Sequence, residues 1–250
     1  MQKLSGKNAL ITGGNSGIGL ATAKLFREHG ANLVITGRDP ASLEQARMAL
    51  GGDVLALQSD AGKLDNIESS INQVADYFGR LDVLFVNAAS GNPAPFEFVT
   101  EAQFDEMSAI CFKGVFFTIQ KALPLLSNGS SIIITTSITN QLGAPNFSVY
   151  AASKAAQRSL VQTLSLELIE RGIRVNAISP GPVDTPGFGR WDVPREVVQA
   201  ARDEFTRKSP VKRFGKPEEI AKVALFLASE ESSYIVGAEI VADGGISLVL

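Results

Sequence analysis

Three side chains near the middle of the chain have the types and spacing for proton chemistry on a carbonyl group. Tyr150-Ala-Ala-Ser-Lys154 sets a phenol and an ammonium four residues apart, which on a helix places them on one face. Ser137 closes a β-branched run, Ser-Ile-Ile-Ile-Thr-Thr, and so stands at a strand end just before that helix. Strand ends of open α/β sheets are where ligands sit. A carbonyl that accepts a hydride becomes an alkoxide and needs a proton. An ordinary phenol has a pKa of about 10, too high for efficient exchange near neutrality. An ammonium beside it favours the phenolate, and a drop of about three units corresponds to roughly 4 kcal/mol. Ser137 can donate a hydrogen bond to the developing oxyanion.

A second set of residues has the chemistry of a phosphate cradle. Gly13-Gly14-Asn15-Ser16-Gly17-Ile18-Gly19 stands between a short apolar run and the helical stretch 20–29. Residues without a Cβ let the backbone turn tightly and approach a pyrophosphate, and a helix N-terminus offers free N–H groups. The spacing is Gly-x-x-x-Gly-x-Gly, not the tighter dinucleotide fingerprint. It is not a P-loop either, because Leu20 stands where a lysine is needed. The plainer reading is a flexible strand-to-helix loop. At the end of the second run, Ile35-Thr36-Gly37-Arg38-Asp39, the position nearest the ribose carries no acid that would repel a phosphate. Arg38 offers the planar fork that matches a 2′-phosphate. The expectation is NADP(H), with NAD(H) possible. Alternatively Arg38 is a solvated loop residue, and Asp39 caps the next helix or serves as the ribose acid.

The elements that must position these groups follow from periodicity. Strands are expected over 8–12, 32–36, 53–58, 83–87, 131–136, 174–178 and 239–241, with helix-length segments between them. Leu160, Leu164, Leu168 and Val161 mark the apolar face of a helix over 149–170, and a second long helix is expected over 101–126. The pattern predicts an α/β, Rossmann-type, doubly wound fold, a seven-stranded parallel sheet with helices on both faces. One domain covers 1–250. The proline-bearing stretch at about 182–213, with the only tryptophan, Trp191, reads as an excursion that forms a substrate lid.

Composition bounds the function. The 250 residues are 45% hydrophobic and 20% charged, enough apolar content for a full core. A net charge of −3 points to neither a nucleic-acid surface nor a membrane partner. The single cysteine, Cys111, and single histidine, His29, cannot build a Cys/His zinc site, and no metal ligand is assigned, although a carboxylate site stays open. No apolar run approaches the 18 residues of a membrane span, and no signal peptide is expected, so a cytoplasmic location is.

With these residues in view, the chain resembles the short-chain dehydrogenase/reductase family over nearly its whole length. The resemblance rests on Thr12-Gly-Gly-Asn-Ser-Gly-Ile-Gly19, Asp60-Ala61, Asn87-Ala88-Ala89, Ser137, Tyr150-x-x-x-Lys154, Asn176-Ala-Ile-Ser-Pro180-Gly181 and Asp243-Gly-Gly245. It implies that Tyr150 is the acid/base, that Lys154 lowers its pKa and holds the nicotinamide ribose, and that Ser137 orients the substrate. It implies that Gly13, Asn15, Ser16, Gly17, Ile18, Gly19 and Arg38 bind the cofactor and that Asp60 and Ala61 meet the adenine. It implies that Asn87 and Ala88 line the groove and that Pro180, Gly181, Val183 and Thr185 border the nicotinamide. It also implies a homotetramer. The family usually carries an asparagine where this chain has Cys111, at an opened helix turn whose main-chain carbonyl serves a water relay to the lysine. The expectation is that neighbouring packing holds the turn open and that Cys111 is a small apolar filler.

The function expected is therefore an NADP(H)-dependent oxidoreductase interconverting an uncharged ketone or aldehyde and an alcohol. A nucleotide-binding sensor or scaffold without turnover is the alternative. An α/β hydrolase would need Gly-x-Ser-x-Gly and a late histidine, and neither is present.

Overall fold

The computed structural model describes residues 2–189, 191 and 193–249. Met1, Arg190, Asp192 and Leu250 lie outside the described residues, and with them parts of the N-terminal, excursion and tail readings. Seven strands form one sheet: β1 (Asn8–Ile11), β2 (Asn32–Gly37), β3 (Leu55–Gln58), β4 (Leu81–Val86), β5 (Leu126–Thr135), β6 (Arg174–Pro180) and β7 (Glu239–Ala242). The order is β3-β2-β1-β4-β5-β6-β7 and every pairing is parallel. The chain reverses its winding between β1 and β4, so the carboxyl ends of these two strands open a crevice.

The alternation of side chains divides the core in two. Ala9, Ile11, Ile35, Phe85 and Ile133 face one layer, packed by α1 (Gly17–Glu28), α2 (Pro40–Ala49) and α8 (Pro217–Ala228). Leu10, Val34, Leu84, Ile132 and Ile134 face the other, packed by α3 (Leu64–Phe78), α5 (Gly114–Ala122) and α6 (Ser148–Leu168). This is the doubly wound architecture that the periodicity predicts. Among the described residues no helix is long and apolar enough to cross a membrane.

Three expectations need correction. The strand expected from 53 begins at Leu55, because Gly51 and Gly52 are both left-handed and Asp53 is drawn out to Arg27, 2.5 Å away. The fifth strand begins at Leu126, five residues early. Leu126 pairs with Leu81, then Ser127-Asn-Gly-Ser loops out, held by Ser127 N–H and Leu81 C=O on the Ser130 hydroxyl, before pairing resumes at Ser131. The helix expected over 101–126 is not one α-helix. It runs α4 (Glu101–Ser108), then a π turn (Ala109–Lys113), then α5 and a 3₁₀ turn (Leu123–Leu125).

The excursion leaves β6 through a single bridge between Val183 and Gly215, and carries a 3₁₀ turn (Pro186–Gly189) and α7 (Arg195–Lys208). At its neck Asp184 N–H donates to the Gly215 carbonyl and Gly215 N–H to the Pro182 carbonyl.

The π turn abuts the β3–α3 connection at Gly114. A Cβ built there would lie 2.0 Å from the Ala61 carbonyl oxygen. In an open helix, Gly to Ala gains up to about 1 kcal/mol from propensity. Here the clash is with main chain that cannot step aside, and overpacking of this kind costs about 1–3 kcal/mol. Gly114→Ala is therefore expected to lower Tm by about 2–12 °C, at the usual slope for a domain of this size. A thermal melt with Tm unchanged or raised contradicts the packing described.

Candidate active site

The crevice is floored by the turn after β1. Gly13 and Gly17 both have left-handed backbones, with φ of 64° and 52°. A Cβ at Gly13 would approach Ala88 Cα to 3.0 Å, and one at Gly17 would approach the Thr185 side chain to 3.1 Å. The two walls thus close on the turn, and its glycines keep the floor clear. Ile18 and Gly19 lie in the first turn of α1, and Ser16 at its N-cap makes no side-chain cap, so the leading N–H groups are not spent on it. These features fit a dinucleotide pyrophosphate.

Asn87 ties the strand ends together. Its N–H and that of Ala88 donate to the Thr12 hydroxyl, its amide Nδ2 reaches Thr12 and Gly13 carbonyls, and its Oδ1 accepts from the Thr135 hydroxyl. Asp60 accepts from Gly62 N–H at 3.0 Å and Ala61 packs under Gly114, which sets this turn at the edge of the same crevice. On the far side, Pro180 ends β6, Gly181 fits against Asp243 with no room for a Cβ, and Val183 and Thr185 follow. Asn15 spends its amide nitrogen on the Ser42 hydroxyl, 2.8 Å away, and lies over Gly37. Asp39 caps α2 through Ser42 N–H, as one of its readings proposed. Arg38 is largely exposed and stands 3.8 Å from Glu106, also exposed.

Ser137, Tyr150 and Lys154 come together. Ser137 sits in extended backbone just past β5, and its hydroxyl accepts from Thr139 Oγ1 at 3.0 Å. Tyr150 and Lys154 lie one turn apart on α6, with the ammonium 5.5 Å from the phenol ring centre. Lys154 is 1% exposed and donates to Thr135 C=O at 2.6 Å and to Gln157 Oε1 at 3.2 Å. Burial pushes the ammonium below its ordinary pKa, with the Cys111 thiol opposing. Burial pushes the phenol above its own; the Cys111 thiol adds to this, and the bond from Ser137 opposes it. Burial is the largest influence on both groups, and the ammonium lies 5.5 Å from the phenol ring centre.

The turn carrying Cys111 is open, with cysteine in place. The thiol is not a plain filler. It donates to Ser90 C=O at 3.0 Å and accepts from Ser90 N–H at 3.4 Å, so it pins the loop after β4 to the π turn. The Cys111 carbonyl accepts from the Gln157 amide.

Two residues of the site escaped the sequence reading. Gln157 had a signal: it lies three residues past Lys154, on the same helical face. The buried side of α6 is Ser153, Lys154, Gln157, Val161, Ser165 and Leu168, while Leu160 and Leu164 are only partly buried, so its inward stripe is mostly polar. Glu239 had none. Its carboxylate on β7 accepts from Thr136 Oγ1 at 2.6 Å, from the Asn140 amide, and from Gln141 at 2.8 Å, and pairs with Arg158 at 3.0 Å. It anchors both ends of the loop that holds Ser137.

Aromatic side chains line the mouth. Phe147 lies 6.1 Å from Tyr150 and 5.4 Å from Trp191, centre to centre, and Trp191 stacks on Phe188 at 4.3 Å. Arg202 lies 4.6 Å over the Phe214 ring and 2.9 Å from Asp184.

Comparison with known proteins agrees with this arrangement. A family model described as Enoyl-(Acyl carrier protein) reductase matches residues 13–247. The oxidoreductase asL5 of Sarocladium schorii is 39% identical over 100% of this chain and 99% of its own. The crystal structure of levodione reductase superposes with a TM-score of 0.92 at 32% identity, covering 99% of this chain and 100% of that one. That of 3-ketoacyl-(acyl-carrier-protein) reductase from Brucella melitensis, complexed with NADH, gives 0.89 at 31%, covering 98% and 99%. The fold, the crevice and the meeting of Ser137, Tyr150 and Lys154 thus coincide with likeness along the entire chain, which belongs to the short-chain dehydrogenase/reductase family of oxidoreductases.

Proposed function

We propose that the protein interconverts an uncharged ketone or aldehyde and its alcohol, with NADP(H) as the preferred dinucleotide and Tyr150 as the proton donor. The observation that supports this reading most directly is the meeting of Ser137, Tyr150 and Lys154, the ammonium 5.5 Å from the phenol ring centre, beside a clear glycine-floored crevice. The dinucleotide supplies or takes the hydride when bound. Gly13, Gly17, Ile18 and Gly19 would hold its pyrophosphate, and Asp60 with Ala61 its adenine. Pro180, Gly181, Val183 and Thr185 would border its nicotinamide. Lys154, which the resemblance assigns to the ribose, stands beside Tyr150. In reduction, Tyr150 gives its proton to the carbonyl oxygen as charge develops there, and Ser137 donates a second hydrogen bond to the same atom. In oxidation the phenolate takes the proton back, so that direction speeds up as pH rises. Phe147, Trp191 and Phe188 make the mouth aromatic, which favours an uncharged substrate, and Arg202 beside them is paired with Asp184. The excursion that bears Trp191 is read as the substrate lid.

Tyr150→Phe keeps the ring and removes the proton. Turnover, followed at 340 nm with a panel of carbonyl compounds, is expected to collapse while dinucleotide binding persists. More than a tenth of the parental rate in this variant refutes the role of Tyr150. A parent that binds the dinucleotide and turns over no carbonyl or alcohol supports the sensor alternative.

Cofactor choice turns on Arg38. Its pairing with Glu106 is between exposed groups, and such pairs contribute about 0–1 kcal/mol. A bidentate bond to a phosphate is stronger and displaces it. Arg38→Ala is expected to weaken NADPH binding by about 1.5–3 kcal/mol, the range for a charged hydrogen-bond partner, and to leave NADH nearly unchanged. Equal losses for both dinucleotides, measured by fluorescence titration, exclude the assignment.

The assembly proposed is a tetramer with two-fold axes. Phe112, Phe116, Leu166 and Ile169 are exposed on the π turn, on α5 and along and just beyond α6, and Tyr234, Leu248 and Val249 near β7. Ile246 of the tail is fully buried in its own chain, so only the residues beyond it are left for a neighbour. Light scattering at micromolar concentration is expected to give four times the chain mass, and a monomer mass overturns the proposal.

A further inference from the structure

Gln157 is fully buried on a helix face that otherwise packs against the sheet. A primary amide in that position is costly unless both its ends are bonded. Both are. Nε2 donates to the Cys111 carbonyl, and Oε1 accepts from the Lys154 ammonium at 3.2 Å. The first contact exists because of the π turn, where the hydrogen-bond register slips by one residue and frees main-chain acceptors. It also fixes the amide's orientation. With the nitrogen on a carbonyl, only the oxygen is left for the lysine. The ammonium has three N–H donors. Two are taken by Thr135 and Gln157, and the group beside the third is the Tyr150 ring.

We propose that Gln157 is a positioning residue for the reaction: clamped on the Cys111 carbonyl, its side-chain amide seats the Lys154 ammonium toward Tyr150. The inference rests on the reading of Tyr150 as the acid/base. It assigns the open helix turn a definite occupant, a side chain of the neighbouring helix.

The sign of the effect follows. Without the amide oxygen, the buried ammonium loses one of two acceptors and gives up its proton more readily. The phenolate then loses its nearest cation, so the phenol holds its proton to higher pH.

The test compares Gln157→Met with Gln157→Ala. Methionine keeps the length and volume, cannot donate to the carbonyl, and offers the ammonium only a weak thioether acceptor. Alanine leaves a cavity walled by a carbonyl and an ammonium, polar enough to hold a water in place of the amide. If Gln157 seats the lysine, methionine is the worse replacement. Its kcat for alcohol oxidation is expected to fall about tenfold near neutrality, and the rising limb of its pH profile to move up by about one unit, the size expected for one hydrogen bond to a charged group. KM for the dinucleotide should stay within about twofold, as for a loss not made in ground-state binding. Alanine is expected to stay closer to the parent in rate and pH profile, although it removes more packing. If Gln157 only fills space, the order reverses: methionine behaves as the parent and alanine is impaired. That result overturns the proposal. Gln157→Leu, shorter and unable to hydrogen-bond, repeats the measurement should the methionine variant not fold. Loss of turnover in Tyr150→Phe with a parental profile in Gln157→Met rejects this inference alone. Turnover that survives in Tyr150→Phe rejects the reading beneath it.

Discussion

A lysine ammonium with almost no access to water is the constraint around which this site is built. An unpaired charge in a protein interior is among the most expensive groups a fold can hold. Lys154 is kept there by acceptors from two directions: the Thr135 carbonyl at the end of β5 and the Gln157 amide. Each has structural consequences. β5 must end where it does, so that a strand carbonyl is left to face α6 and not another strand. The inward stripe of α6 must carry polar residues, which weakens its apolar face. The helix opposite must open by one residue, because a regular α-turn would have kept the Cys111 carbonyl for itself.

The same logic governs the strand ends around it. Parallel strands finish with unpaired main-chain groups, and here side chains from neighbouring strands take them up. Thr12 and Asn87 knit the ends of β1, β4 and β5. The Cys111 thiol serves as both donor and acceptor for Ser90, in place of a longer polar side chain. Charge is shared near the mouth, where Arg202 lies over aromatic rings and against Asp184. The result is a glycine floor with a polar rear wall and an aromatic mouth.

Much of this was legible in the sequence, for identifiable reasons. Strand and helix periods differ, so the seven strands and their order of appearance could be read. The four-residue spacing of Tyr150 and Lys154 holds on any helix. The interruption in β5 was hidden because Ser127-Asn-Gly-Ser has the composition of a turn while pairing continues on both sides of it. The π turn was hidden because it differs from an α-turn by one residue and leaves no compositional mark. It was expected only through family resemblance. Asp39 could be placed as a cap from its position alone, whereas Glu239 could not be placed at all. Its partners Thr136, Asn140 and Gln141 are about a hundred residues away and reach it only through the register of β6 against β7.

That carboxylate ties the outermost strand to the candidate site. β7 borders the sheet, and an edge strand is the element of a sheet most open to pairing, displacement or fraying. Glu239 binds residues on both sides of Ser137 and, through Arg158, the helix that bears Tyr150 and Lys154. The edge and the proton-handling groups therefore share one mechanical joint. Whatever shifts the border strand, whether a neighbouring surface, a substitution or heat, loads that joint first, and activity should fade before the sheet itself comes apart.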